Sequence, residues 1–362
     1  MGVYALGAGF LNAHADEVDD FIQARMLERH LTGLSLAIVQ DGKIIKARGY
    51  GFADDRGQKP VTPATLFQAG SISKPLAALA ALRLVQTGQL SLDADVNTRL
   101  RAWKVPENEF TKDQKVTLRG ILSHSAGLTV HGYPGYALDA PVPALVEVLN
   151  GVQSANTSAI RVDVVPGSKW RYSGGGYTVL QQMIIDATGK PFPEFMAATV
   201  LTPLGMTNST YDQPLPPKMA AVAAAGYLAS GQAVKGGWHV YPEMAAAGLW
   251  TTASDLARFA IGIQRALAGD ANPVLSQAMT RQMLAIQNPT LSDTDGLGLF
   301  VRGSGDALRF WHDGRNEGFD ALMMAFPNTG KGAVIMINAN DNRGTMADII
   351  KAIAKQYAWR TF

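Results

Sequence analysis

Strand-forming residues gather at the two ends of this chain, while its long middle reads as helix and loop, and that segregation constrains the fold more than any other feature. Residues 34–40 and 43–50 are rich in Ile and Val, and Asp41-Gly42 between them is a strong two-residue hairpin signal. Four more strand-like runs, 296–301, 307–311, 321–326 and 332–338, crowd into the last seventy residues, with Pro327-Asn328-Thr329-Gly330 as a turn. Val18, Phe21, Ile22, Met26 and Leu27 recur at helical spacing before the first strand, and 347–359 reads as a closing helix. The pattern predicts an α+β fold: one antiparallel sheet built from the N- and C-terminal segments and flanked by helices, with a mostly helical region inserted. The expected division is 16–68 with 291–362 for the sheet region and 69–290 for the helical one, the latter with helices near 141–150, 177–188, 193–201 and 253–268. A cleft between the two regions is the expected place for a site.

Composition narrows the function. A formal charge of +2 with no basic block gives no footing for a nucleic-acid partner. Charged residues at 17% and apolar residues at 47% fit a well-buried globule. No apolar run approaches the length of about 18 residues that a membrane span needs. The chain has no cysteine, which excludes disulfides, thiolate metal ligands and a cysteine nucleophile. Its six histidines are scattered without metal-ligand spacing, so no metal site is expected. Residues 1–15 hold a small-residue apolar run ending in Ala13-His14-Ala15, the form of a signal-peptidase site, just before an acidic stretch. They read as the remnant of an export signal or as a tail, giving a periplasmic or secreted expectation with a cytoplasmic alternative.

Three stretches could carry chemistry. In Gly70-Ser71-Ile72-Ser73-Lys74-Pro75 a strand-like run gives way to an apolar helix expected over 72–87, closed by Gly88. A serine needs a proton acceptor in reach to act as a nucleophile, and positions i and i+3 at a helix start supply one. Ser71 is the candidate nucleophile and Lys74 its base; an ordinary N-cap beside a solvated lysine is the alternative. In Arg171-Tyr172-Ser173-Gly174-Gly175-Gly176-Tyr177 the glycines permit close backbone approach, and a phenol near cations would ionise more readily than its usual pKa of about 10 suggests. The alternative there is a plain helix-entry turn. Trp311-His312-Asp313-Gly314-Arg315-Asn316-Glu317-Gly318-Phe319, expected at the end of a late strand, could offer N–H groups to an oxyanion, or be an inter-strand loop.

In this order the three stretches resemble the penicillin-binding protein and serine β-lactamase family, in particular the class C-like branch that includes family VIII carboxylesterases and D-aminopeptidases. Ser71-Ile72-Ser73-Lys74 matches the family's S-x-x-K, and Tyr172-Ser173-Gly174 stands where the family has Y-x-N. His312-Asp313-Gly314 stands where lactamases carry K-T-G and many esterase-like members H-x-G. Leu122-Ser123-His124-Ser125-Ala126-Gly127-Leu128 and Gly248-Leu249-Trp250-Thr251-Thr252-Ala253-Ser254-Asp255-Leu256 resemble two further family stretches. The resemblance implies attack by Ser71, proton transfer shared by Lys74 and Tyr172, and an oxyanion hole from the backbone N–H groups of Ser71 and Arg315. It also implies substrate binding around Gly174, His312 and Gly314, and no cofactor.

Two departures bear on substrate. Gly174 replaces an asparagine that binds the substrate amide, and His312-Asp313 replaces the Lys-Thr pair that holds a β-lactam carboxylate. Losing a charged carboxylate partner typically forfeits about 1.5 to 3 kcal/mol. Arg315 or Arg343 is a candidate replacement cation, and Tyr133, Tyr136, Trp238 and Tyr241 are candidate pocket walls. The expected activity is that of a serine hydrolase working on small esters through an acyl-enzyme. A D-amino-acid peptidase or amidase, a weak β-lactamase, and a non-catalytic ligand-binding or sensor module are the alternatives.

Overall fold

The hairpin signal and the terminal strands assemble as the pattern requires. The computed structural model describes residues 17–54, 56–270 and 274–359, so the export segment 1–15 lies outside the described residues. Helix α1 (Glu17–Arg29) leads into β1 (Gly33–Gln40), β2 (Lys43–Asp54) and β3 (Lys59–Pro60). Asp41 and Gly42 turn the first hairpin with φ of 51° and 67°, the left-handed pair that such a turn demands. The late strands are β4 (Phe300–Arg302), β5 (Arg309–Asn316), β6 (Phe319–Phe326) and β7 (Lys331–Ile337). Together they form a seven-stranded sheet in the order β3-β2-β1-β7-β6-β5-β4. The two ends of the chain meet where β1 pairs antiparallel with β7, Leu34 opposite Ile337 and Val39 opposite Gly332.

Both faces of the central strands are buried, which is why β1 lacks polar alternation. Leu34, Leu36 and Ile38 with Ile335 and Ile337 pack under α1 and the closing helix, Thr345–Gln356, against Val18, Ile22, Ile349 and Ile353. Ala37, Val39, Val334 and Met336 point the other way, into the large core shared with the helical region. Asp19 of α1, buried beneath the sheet edge, takes Lys46, Arg48 and the Tyr50 hydroxyl as partners, tying helix to strand.

The helix after Ser71, α2 (Ser73–Gln86), is buried on nearly every face and stops before Gly88, whose φ of 74° a side chain would strain. Helices α3 (Gly174–Thr188) and α4 (Ala253–Ala268) match the expected positions, and α4 lies on the sheet. One expectation needs correction. Of the run 296–301 only 300 and 301 are strand; Gly298, at φ 86°, instead donates its N–H to the Leu122 carbonyl, and a side chain there would collide with Ala78. The stretch around His312 is not an inter-strand loop but lies, as expected, at the end of a late strand. It is the second half of β5, and Glu317-Gly318 makes the turn to β6. Among the described residues no helix is long and apolar enough to cross a membrane.

Candidate active site

The site forms where a tight turn meets a strand edge. Gly70–Ile72 makes a 3-10 turn leading directly into α2, with Gly70 at φ +52°. Strand β4 covers β5 only over residues 309–311, so the remaining edge of β5 is free to lie against this turn. The approach is so close that a Cβ on Gly314 would sit 1.9 Å from the Ala69 carbonyl oxygen, and one on Gly70 2.5 Å from the Arg315 nitrogen. Both positions demand glycine. Alternate N–H groups of an antiparallel strand point toward and away from the partner. Asn316 and Phe319 flank a two-residue turn and pair with each other, so the Arg315 N–H faces away from β6, toward Gly70 and Ser71. The backbone amides of Ser71 and Arg315 thus share one small space.

Ser73 holds the turn rigid. Its hydroxyl donates to the Gly70 carbonyl at 2.6 Å and accepts from the Leu249 N–H at 3.0 Å, while the Tyr211 hydroxyl donates to the Ser73 carbonyl at 2.9 Å. One turn on, Lys74 is buried, and its Nζ donates to Ser71 Oγ at 2.8 Å and to the Ala246 carbonyl at 2.9 Å. That carbonyl is fixed by Gln181 of α3, which accepts from the Ala245 N–H at 3.0 Å and donates to the Pro242 carbonyl at 3.0 Å. Desolvation drives the lysine pKa down from 10.5 to about 7, against the pull of the Asp313 carboxylate.

Tyr172 lies beside this pair. Lys74 Nζ sits 4.9 Å from its ring centre, and the Ser71 hydroxyl is near enough to the phenol to favour its ionised form. The ring packs against His124 at 4.3 Å and His131 at 4.9 Å between centroids, both tilted to it. The expectation that neighbouring cations ease its ionisation is overturned: burial pushes the phenol pKa well above its ordinary value, Ser71 only partly opposes this, and Asp313 adds to it. The neighbouring imidazoles do not counter that burial. Burial holds His124 well below the usual histidine range, and its Nδ1 accepts from the Ser173 N–H at 3.1 Å. His312, likewise buried, is lowered to about 4. Neither His124 nor His312 therefore supplies a positive charge that would offset the burial of the phenol.

Ser71, Tyr172, His312 and Arg315 line a cavity of about 440 Å³, with His131, Gly132, Tyr133, Trp170, Phe300 and Asp313 as its other walls. Gly314 serves the backbone crossing, and Gly174 is buried against the His131 carbonyl and the Tyr133 ring. Tyr133, held by Thr178 at 2.6 Å, is the one member of the proposed aromatic set that lines the cavity. Tyr136 and Tyr241 are buried elsewhere, and Trp238 stacks edge-on against Trp250 at 5.3 Å. The Arg315 guanidinium is committed to Asp320 (2.6 and 2.7 Å), Asn342 (2.9 Å) and the Asp341 carbonyl (2.9 Å), and Arg343 is not a cavity residue. His131, Gly132, Trp170, Phe300 and Asp313 were missed as walls. Only Trp170, two positions before Tyr172, and Asp313, inside the third stretch, had a local signal.

Comparison with known proteins identifies the family. The β-lactamase family profile matches residues 18–358. The chain is 33% identical over 228 residues to esterase EstB of Burkholderia gladioli; the match covers 60% of this chain and 56% of the esterase, so the chain spans little more than half of that relative. It is 26% identical over 322 residues to the putative penicillin-binding protein PbpX of Bacillus subtilis, covering 86% of this chain and 72% of the relative. In fold it is similar to the octameric penicillin-binding protein homologue from Pyrococcus abyssi, with a TM-score of 0.76 at 24% identity, over 95% of this chain and 78% of the other. The chain belongs to the β-lactamase family.

Proposed function

We propose that the protein is a serine hydrolase that cleaves small esters through an acyl-enzyme on Ser71. The observation that carries this reading is a buried amine, lowered to about 7, placed 2.8 Å from the Ser71 hydroxyl. In its neutral form Lys74 keeps donating to the Ala246 carbonyl and turns its lone pair to the serine proton. Ser71 Oγ then bonds to the ester carbonyl carbon as its proton passes to Lys74. The negative charge moves to the carbonyl oxygen, beside the Ser71 and Arg315 amides. Collapse breaks the bond to the alcohol, which leaves with a proton delivered from Lys74 through the Tyr172 hydroxyl. Tyr172, with its raised pKa, acts as a protonated relay between the two. Water activated by Lys74 attacks the acyl carbon, and Ser71 recovers its proton.

The relation to an esterase supports the ester over the β-lactam. So does the β5 edge beside Ser71: His312 is uncharged near neutral pH and Arg315 is paired with Asp320, leaving that edge, among the described residues, without a free guanidinium for a β-lactam carboxylate. The test compares wild type and Ser71→Ala on p-nitrophenyl acetate and butyrate, with a fluorophosphonate mapped by mass. Turnover and labelling that both vanish in Ser71→Ala are expected; equal turnover in the two proteins sinks the reading. Nitrocefin and D-alanyl peptides run in parallel separate the esterase from the lactamase and peptidase readings, and an adduct stable for hours with every substrate would point to a sensor. Export is part of the same reading, resting on Ala13-His14-Ala15, and loss of the leader from periplasmic material checks it.

A further inference from the structure

Of the residues around the cavity, Asp313 has no task in the chemistry above. It stands on β5 one position from the backbone crossing at Gly314, exposed to the cavity opening, and among the described residues its carboxylate has no hydrogen-bond or ion-pair partner. Its charge is nevertheless felt by Lys74, Tyr172 and His312, and weakly by the Arg315 guanidinium, whose leading partner is Asp320. The other formally charged wall residue, Arg315, is neutralised by the bidentate pair with Asp320. Tyr133, Trp170, Tyr172 and Phe300 make the remaining wall largely aromatic. A single unpaired carboxylate set among ring faces is attractive to an organic cation, which gains from both the charge and the ring quadrupoles, and repels a carboxylate.

We infer that the cavity selects esters whose acyl or alcohol part carries an ammonium group, and that Asp313 reads that group. The inference rests on the hydrolase reading. An alkylammonium a few bonds from the scissile carbonyl would lie over the Trp170 and Phe300 side of the cavity, with its charge toward Asp313. A neutral isostere keeps the ring contacts and loses the ion pair.

Two substrate pairs test this on the full chain and locate the cation. Butyrylcholine against 3,3-dimethylbutyl butyrate places it on the alcohol side; phenyl 3-aminopropanoate against phenyl butanoate places it on the acyl side. The readout is the ratio of kcat/KM within a pair. At least one pair should favour the cation by about tenfold, the size expected of one partly solvated ion pair with a cation–π contact. In Asp313→Asn that ratio should fall to about twofold or less, and in Asp313→Lys it should invert. Asp313 also raises the Lys74 pKa, so Asp313→Asn will move the pH profile. That change acts on both members of a pair alike and cancels in the ratio. Ratios near one in both wild-type pairs, or a preference that survives Asp313→Asn, overturn the inference. If nothing turns over and Ser71 resists the fluorophosphonate, the hydrolase reading has failed separately. Calorimetry of choline with Ser71→Ala then decides the cation site alone: binding that weakens at least tenfold on adding Asp313→Asn supports it, and no binding, or binding indifferent to Asp313, overturns it.

Discussion

The two walls of the cavity are built on opposite principles. On the Ser71 wall the backbone itself is packed to contact: Gly70 and Gly314 leave no room for a Cβ, Ser73 uses its hydroxyl twice, and the lysine amine is held between Ser71 and Ala246. On the Trp170, Phe300 and Asp313 wall the side chains come from distant elements and carry few polar bonds among the described residues. The first wall has one arrangement; the second can change residue by residue without disturbing that packing, although Asp313 reaches the Lys74 amine through its charge. Chemistry is thereby separated from substrate choice. Changes to the first wall should depress turnover of every substrate, and changes to the second should reorder substrates.

The largest expected effect comes from Lys74→Met. Removing a general base typically costs about 10² to 10⁴ in rate, and here the loss should be equal for acetate and butyrate esters. In wild type, kcat/KM should rise with pH through about 7 as the amine loses its proton, and the residual activity of Lys74→Met should lack that limb. Stability moves the other way. The lysine pKa is lower in the folded chain than in the unfolded one, so between 10.5 and about 7 the unfolded chain binds the extra proton and burial of Lys74 grows costly as pH falls. Lys74→Met should therefore gain stability relative to wild type on going from pH 10 to pH 7, on the order of a few kcal/mol, with no further gain below. Urea unfolding at the two pH values measures it; a gap that does not change with pH contradicts the buried, neutral amine.

Gly314→Ala comes next. Its methyl must displace the Ala69 carbonyl, and with it the Ser71 amide 2.9 Å away. Loss of one aligned oxyanion donor costs roughly 10² to 10³ in kcat, and overpacking about 1 to 3 kcal/mol of stability. Steady-state kinetics beside thermal unfolding separates the two; a fall in stability with kcat intact would detach the crossing from catalysis. Tyr172→Phe should follow with a fall of about 10²-fold at most, since Lys74 remains to take the serine proton, and with the acid limb near 7 preserved. A limb that vanishes with the phenol would move the base role from Lys74 to Tyr172.

How much of this was legible in the sequence follows the same division. The terminal strands, the Asp41-Gly42 hairpin and the apolar run of α2 announce themselves locally, and so does Ser71 with Lys74, because i and i+3 spacing is a property of the helix alone. Tyr172 was identified as a residue, yet its ionisation was misjudged, since that depends on burial and on His124 and His312 being uncharged. Aromatic density in loops misled for Tyr136, Trp238 and Tyr241. The short ribbon that pairs Tyr136–Ala137 with His239–Val240 folds this region into packing, and Tyr241 spends its hydroxyl on the Glu317 N–H at 3.0 Å. Phe300 reaches the cavity only because the edge strand β4 pairs with β5, a contact no local pattern encodes.

Phe300→Ala gives the smallest effect and the sharpest reading of the second wall. The ring lies against Trp311 at 5.6 Å and His312 at 5.2 Å between centroids, so its removal opens the cavity at the strand edge and leaves the Gly70–Gly314 crossing untouched. Lost aromatic contact with a small acyl or alcohol group is worth about 1 kcal/mol, or a few-fold in KM. The expected signature is therefore a KM that rises for butyrate more than for acetate, because the longer chain has more surface to lose, with a smaller change in kcat. Bulky esters that wild type excludes should gain relative to acetate. The decisive comparison is with Gly314→Ala: if Phe300→Ala lowers kcat for all esters by the same large factor, the edge strand is holding the oxyanion amides in place, and the two walls are one mechanical unit.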